Sequence, residues 1–138
     1  MTIKKIHIVK ILYQIEDILL LHLIKLNLMK ILIELSTWLG DAIMSTPAIE
    51  SISNYHHNPQ ITLIGSSISI EALANHPNVV KTEILNKEYL SLYIAAKKLG
   101  EFDAFYSFRS SFRTNFLKFF INSNIKHQFN KNLYKNRH

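Results

Sequence analysis

From Met29 onward, short apolar runs alternate with longer segments of helical spacing, and this alternation restricts the chain to very few architectures. Strands buried on both faces read as continuous runs of branched residues, and the stretches between them are long enough for a helix to cross over. Ile31–Leu35, Ile61–Gly65, Lys81–Leu85 and Phe102–Phe108 have this character, and Lys126–Phe129 is a weaker fifth run. Helical patterning covers about residues 42–55, 68–75, 89–99 and 111–121. Pro59 and Pro77 fall in loops leading to strands, and Gly100 stands where a left-handed cap would end a helix after Lys97 and Lys98. Strand and helix in alternation specify an α/β fold with an open, Rossmann-like parallel sheet, whose ligands bind beyond the carboxyl ends of the strands.

The first 28 residues differ from the rest. They are dominated by Ile, Leu and Lys, contain neither Gly nor Pro, and read as a helix. Lys10, Glu16, Asp17 and Lys25 interrupt the apolar residues before any run reaches the ~18 needed for a membrane span. No small-residue cleavage site follows Ile18–Leu28, which argues against a signal peptide. An interfacial helix would use Ile11, Ile15, Ile18 and Leu19, but the apolar positions wrap too widely for a clean stripe. Residues 1–28 are therefore expected to be a helical extension preceding the domain of residues 29–138, with Met29 as the opening of that domain.

Across 138 residues the formal net charge is +6, and the acidic residues stop at Asp103. Arg109, Arg113, Lys118, Lys126, Lys131, Lys135 and Arg137 follow without a compensating carboxylate. Charge alone leaves nucleic acid, phospholipid and acidic glycolipid open as partners, alongside a merely solvated surface. No nucleic-acid-binding motif accompanies the basic residues, and Phe112, Phe116, Phe119 and Phe120 are expected to pack rather than stack on bases. The chain has no cysteine, and its seven histidines lack ligand spacing, so neither a thiolate chemistry nor a metal site is expected.

Two loops carry the chemically promising residues. After the first strand comes Ser36-Thr37-Trp38-Leu39-Gly40-Asp41, where Gly40 would permit a tight turn and Asp41 would fall at the N-cap or in the first turn of the next helix. A carboxylate is favoured there, either as a cap or as a group positioned to accept a proton from a bound hydroxyl. Gly40 stands alone, so this is no dinucleotide fingerprint. After the fourth strand comes Ser107-Phe108-Arg109-Ser110-Ser111-Phe112-Arg113. Placed on one helical turn, Arg109 and Arg113 would present two guanidinium forks on one face, suited to carboxylates or phosphates. The alternative is a solvated pair.

The run Met29–Glu50, with Trp38-Leu39-Gly40-Asp41 followed by Met44-Ser45-Thr46-Pro47-Ala48, resembles the N-terminus of the ADP-heptose:lipopolysaccharide heptosyltransferases of glycosyltransferase family 9, most of all their heptosyltransferase II branch. The resemblance continues through Ile61–Gly65, His76–Val80 and Phe102-Asp103-Ala104. It implies the N-terminal domain of a GT-B glycosyltransferase, which receives the lipid A–Kdo inner core, while a C-terminal domain holds ADP-heptose. It implies an inverting transfer in which Asp41 deprotonates the acceptor hydroxyl, with Trp38, Gly40, Arg109, Ser110 and Arg113 binding the acceptor, whose Kdo carboxylates and lipid A phosphates suit the arginines. It implies no cofactor and a cytoplasmic location, with peripheral association at the inner membrane compatible with it. Family members run much longer than this chain, so the donor domain is expected to be absent and transfer by the chain alone negligible.

Overall fold

The computed structural model describes residues 2–129, without the side chains of residues 25–27. Lys131, Lys135 and Arg137 of the expected basic end, and the side chain of Lys25, lie outside the described residues. Helix α1 (Thr2–Asn27) comes first, and residues 2–24 are exposed throughout. Ile3, Ile11, Ile18 and Leu21 are each more than half exposed. Among the described residues, no helix is long and apolar enough to cross a membrane.

The domain that follows is built from β1 (Lys30–Glu34), α2 (Leu39–Met44), α3 (Thr46–Tyr55), β2 (Gln60–Gly65), α4 (Ser67–Leu73), β3 (Val79–Ile84), α5 (Tyr89–Leu99), β4 (Glu101–Ser107), α6 (Phe112–Phe120) and β5 (Asn122–Gln128). The strands form one sheet in the order β3-β2-β1-β4-β5, and every pairing is parallel. The order reverses between β1 and β4, so the connections leaving these two neighbours diverge and open a crevice at their carboxyl ends.

Side chains alternate across the sheet and feed two cores. Ile31, Ile33, Leu35, Ile61 and Leu63 pack under Ala42, Ile49 and Ile70 on one face. Leu32, Ile64 and Phe105 pack under Leu92, Ala96 and Leu117 on the other. Helices on both sides explain why β1, β2 and β4 read as near-continuous apolar runs. Lys30 N–H also donates to Asp103 Oδ2 at 2.7 Å, tying the start of β1 to β4, and His76 Nε2 lies 3.0 Å from Glu50 Oε1, tying α3 to the loop before β3.

Several elements depart from the expected pattern. The third strand is an outer strand of the sheet, with intermediate and exposed positions instead of two buried faces. The fifth runs from Asn122 rather than Lys126, because an outer strand needs few apolar side chains and hides its backbone pairing from sequence patterning. The expected single helix over 42–55 begins at Leu39 and breaks at Ser45. Pro47 has no N–H to give to the Ile43 carbonyl one turn back, so it suits the first turn of a new helix and not the interior of a continuous one. The Ser45 and Thr46 hydroxyls donate to the carbonyls of Ala42 (2.6 Å) and Ile43 (2.7 Å) around the break.

Gly100 has φ 86° and ψ −146°, a conformation of positive φ reserved for glycine, though not the left-handed helical cap expected. Of the four phenylalanines assigned to packing, Phe116 and Phe120 pack against the second core and the rings of Tyr89 and Tyr93. Phe112 and Phe119 are instead 77% and 78% exposed, because they project from the side of α6 turned away from the sheet.

Candidate active site at the strand-order switch

The loops leaving β1 and β4 enclose a cleft of about 610 Å³. Ser36, Thr37, Trp38 and Asp41 line it from the β1 side, Met44, Ser45 and Ala48 from α2 and α3, and Phe108, Arg109, Ser110 and Ser111 from the β4 side. Four of the six site residues named from sequence, Trp38, Asp41, Arg109 and Ser110, therefore meet in one cavity. They come from segments about 70 positions apart and are brought together by the pairing of β1 with β4.

Asp41 is in the first turn of α2 and is exposed. It does not cap the helix: Trp38 is the N-cap residue, in extended backbone with no side-chain cap bond. The carboxylate is thus left for other contacts, and the Ser36 hydroxyl donates to its Oδ2 at 3.3 Å. Trp38 is 75% exposed at the rim, an apolar surface that a buried role against the sheet would have hidden. The loop is anchored from behind by α4, where Ser69 Oγ donates to the Ser36 carbonyl (2.6 Å) and Ser66 Oγ to the Thr37 carbonyl (3.0 Å).

Gly40 does not make the tight turn expected of it. It is helical, within α2, and does not have positive φ; a Cβ there would meet nothing within 4 Å. Its contribution is open space beside Asp41, rather than backbone freedom.

The arginine pair is also rearranged. Arg109 belongs to the loop after β4 and Arg113 to the first turn of α6, so the two do not share a helical turn. Ser111 terminates the loop by capping α6, its hydroxyl accepting from Thr114 N–H at 3.2 Å. Because that cap forces extended backbone at Ser111, residue 109 is excluded from the helix. Arg109 faces the cleft; Arg113 does not line it, and its Nη2 donates to the Asn86 carbonyl. Burial, then the neighbouring Arg109 charge, pulls the Arg113 pKa below its ordinary value.

Sequence reasoning passed over Glu34, the last residue of β1. It is 1% exposed, and among the described residues it is the charged side chain most completely buried. Ser107 Oγ donates to its Oε2 at 2.7 Å, Thr114 Oγ1 to its Oε1 at 3.2 Å, and Arg109 Nη1 lies 3.8 Å from Oε1. Burial holds this carboxyl above the usual carboxylate range; the Ser107 hydrogen bond and the Arg109 charge oppose that shift. An acid interrupting Ile31-Leu32-Ile33 was the available signal, since a charge at a core position requires partners.

An open parallel sheet with helices on both faces and a charged crevice at its switch point defines a Rossmann-like α/β domain. No protein-family model matches the chain. It is 37% identical over 112 residues to the lipooligosaccharide heptosyltransferase 2 of Campylobacter jejuni subsp. jejuni serotype O:6, and 35% identical over 114 residues to that of serotype O:2. Each match covers 80% of this chain but 35% of the relative, so the chain spans about a third of the length of these curated relatives. Among solved structures, a glycosyl transferase of family 9 from Veillonella parvula superposes with TM-score 0.66 at 18% identity, covering 74% of this chain and 36% of the other. The ADP-heptose lps heptosyltransferase II of Escherichia coli superposes with TM-score 0.62 at 17% identity, covering 78% and 33%. The chain is a homologue of the lipooligosaccharide heptosyltransferases, and its domain has the Rossmann-like fold found in the GT-B enzymes of glycosyltransferase family 9.

Proposed function

We propose that this domain is the acceptor-binding part of a heptosyltransferase that extends the inner core of lipopolysaccharide. The observation that carries the proposal is the meeting of Asp41 and Arg109 in one cleft at the β1/β4 switch. A sugar hydroxyl beside Asp41 would lose its proton to the carboxylate as it attacks the anomeric carbon of the heptose, while ADP departs. Arg109 would take a Kdo carboxylate or a phosphate of the acceptor, and Ser110 and Trp38 would hold the sugar ring by hydrogen bond and apolar contact. Gly40 leaves room for the ring beside Asp41. Arg113 would support this site from behind, through its charge rather than by contact.

Attack on a nucleotide sugar also requires a surface that holds ADP-heptose against the acceptor, and the proposal assigns that role to a second domain facing this cleft. The described residues contain one sheet and supply only the acceptor side. The same reading places the domain in the cytoplasm, at the inner face of the membrane that carries the growing glycolipid.

Trp38 is the chain's single tryptophan and stands at the cleft rim, so its fluorescence reports occupancy directly. Titration with a deacylated Kdo-containing inner-core oligosaccharide is expected to change that emission saturably, and Arg109→Ala to weaken binding by about tenfold or more, in line with a charge-assisted contact. A titration without saturation, or an Arg109→Ala affinity equal to that of the natural chain, would overturn the proposal.

A further inference from the structure

Glu34 sits where a leucine or isoleucine would complete the second core, and its partners divide into two kinds. Two hydroxyls, from Ser107 of β4 and Thr114 of α6, donate the hydrogen bonds. Arg109, at 3.8 Å, is an ion-pair neighbour beyond hydrogen-bond distance, and Arg113 acts on Glu34 through its charge. The carboxylate is therefore not a clamp that orients Arg109 by a fork-to-fork bond. It is a counter-charge beneath a guanidinium that faces the cleft.

An anion approaching Arg109 competes with that counter-charge. Its arrival puts a second negative charge close to Glu34 and favours the neutral carboxylic acid, which still accepts from one hydroxyl and donates through its own O–H. The groups facing Glu34 are Ser107 on β4, Arg109 in the loop after it, and Thr114 and Arg113 on α6. Among these hydroxyl and guanidinium groups, Glu34 is the carboxyl and so the group that exchanges the proton.

We infer that Glu34 is a positioning residue that couples anion binding to protonation: an anionic sugar is taken up by Arg109 together with one proton, which lodges on the Glu34 carboxylate. The inference rests on the reading of the cleft as an anionic-sugar site. Burial already holds the Glu34 carboxyl above its usual range, and an anion on Arg109 acts in the same direction.

Calorimetric titration of the full chain in buffers of different ionisation enthalpy tests it, with two probes of fixed charge, sulfate and a phosphate-free Kdo-containing oligosaccharide. As pH rises above the ordinary carboxylate range and through the raised value of Glu34, the affinity is expected to fall, and the binding heat to vary with the buffer as for uptake of up to one proton. Glu34→Gln keeps the shape and an acceptor oxygen for Ser107; it is expected to bind about tenfold tighter than the natural chain at the alkaline end and to lose both dependences. Asp41→Asn, titrated in parallel, is expected to keep them. A buffer-independent heat in the natural chain would overturn the inference without recourse to any variant. So would an unchanged pH slope in Glu34→Gln, the result of a purely structural tie between β1 and α6, or failure of both probes to bind. Oligosaccharide binding without proton uptake would sink this inference alone, whereas sulfate binding with uptake but no oligosaccharide binding would sink the proposed function and leave Glu34 its role.

Discussion

The Ser36 hydroxyl, in the loop that joins β1 to α2, donates to Asp41 Oδ2 at 3.3 Å, five positions further along the chain. This is a long contact, so Asp41 is steered by Ser36 and, exposed, remains open to the cleft. Asp41→Asn is expected to leave oligosaccharide affinity within about threefold, and to lower heptosyl transfer by about 10²–10⁴ once an ADP-heptose-binding domain is supplied. Ser36→Ala is expected to cost less than about tenfold in the same assay, because the bond it removes is long and exposed. Transfer surviving in Asp41→Asn would remove the residue from the mechanism.

Glu34 also sets a pH dependence of stability. Its carboxyl pKa is raised in the folded chain, chiefly by burial, so the folded state binds the proton more tightly than the unfolded state. The contribution of Glu34 to stability is then greatest below the ordinary carboxylate range and is lost as pH rises through the raised value. In thermal melts across acid to neutral pH, the stability of the natural chain relative to Glu34→Gln is expected to show this decline. Equal pH dependence in the two chains would mean that the carboxyl is not strained by burial.

At the far end of α3, His56 Nε2 lies 2.8 Å from the Tyr106 hydroxyl, and the Tyr106 ring stacks on His127 at 5.0 Å. Burial, then the charges of His127 and His57, lowers the His56 pKa, and burial raises that of Tyr106. The stable pairing is thus a phenol O–H donating to a neutral imidazole. Because the folded state disfavours the His56 proton, stability should fall as pH drops below the ordinary histidine range. Tyr106→Phe is expected to cost about 1 kcal/mol near neutral pH, read from denaturant unfolding, with the loss shrinking in acid. A loss independent of pH would contradict this assignment.

Core and rim should respond differently to truncation. Phe105 is fully buried between β1 and the α5/α6 layer, and Phe105→Ala is expected to cost about 3–5 kcal/mol, a large share of the ~5–15 kcal/mol that holds a domain of this size. Trp38→Ala at an exposed position is expected to change stability by no more than about 0.5 kcal/mol while weakening oligosaccharide binding measured by calorimetry. A large stability loss in Trp38→Ala would show that the ring packs against the domain instead of serving the cleft.

Local chemistry made much of this protein readable in one dimension. Apolar runs marked β1, β2 and β4 because those strands are covered on both faces, helical spacing over 111–121 marked α6, and Asp41 fell in the first turn of α2. Each depends on residues within a turn or two of one another, where spacing is an adequate guide to energy. Tertiary structure alone decided which strands lie outermost, and so why β3 and Asn122–Gln128 carry so weak a pattern. It also took Arg109 off the helix, turned Arg113 towards Asn86, and set Glu34 against Ser107 and Thr114, 73 and 80 residues away. Those contacts exist because β1 pairs with β4, and the cost of a buried charge is settled only by partners that a distant part of the chain delivers.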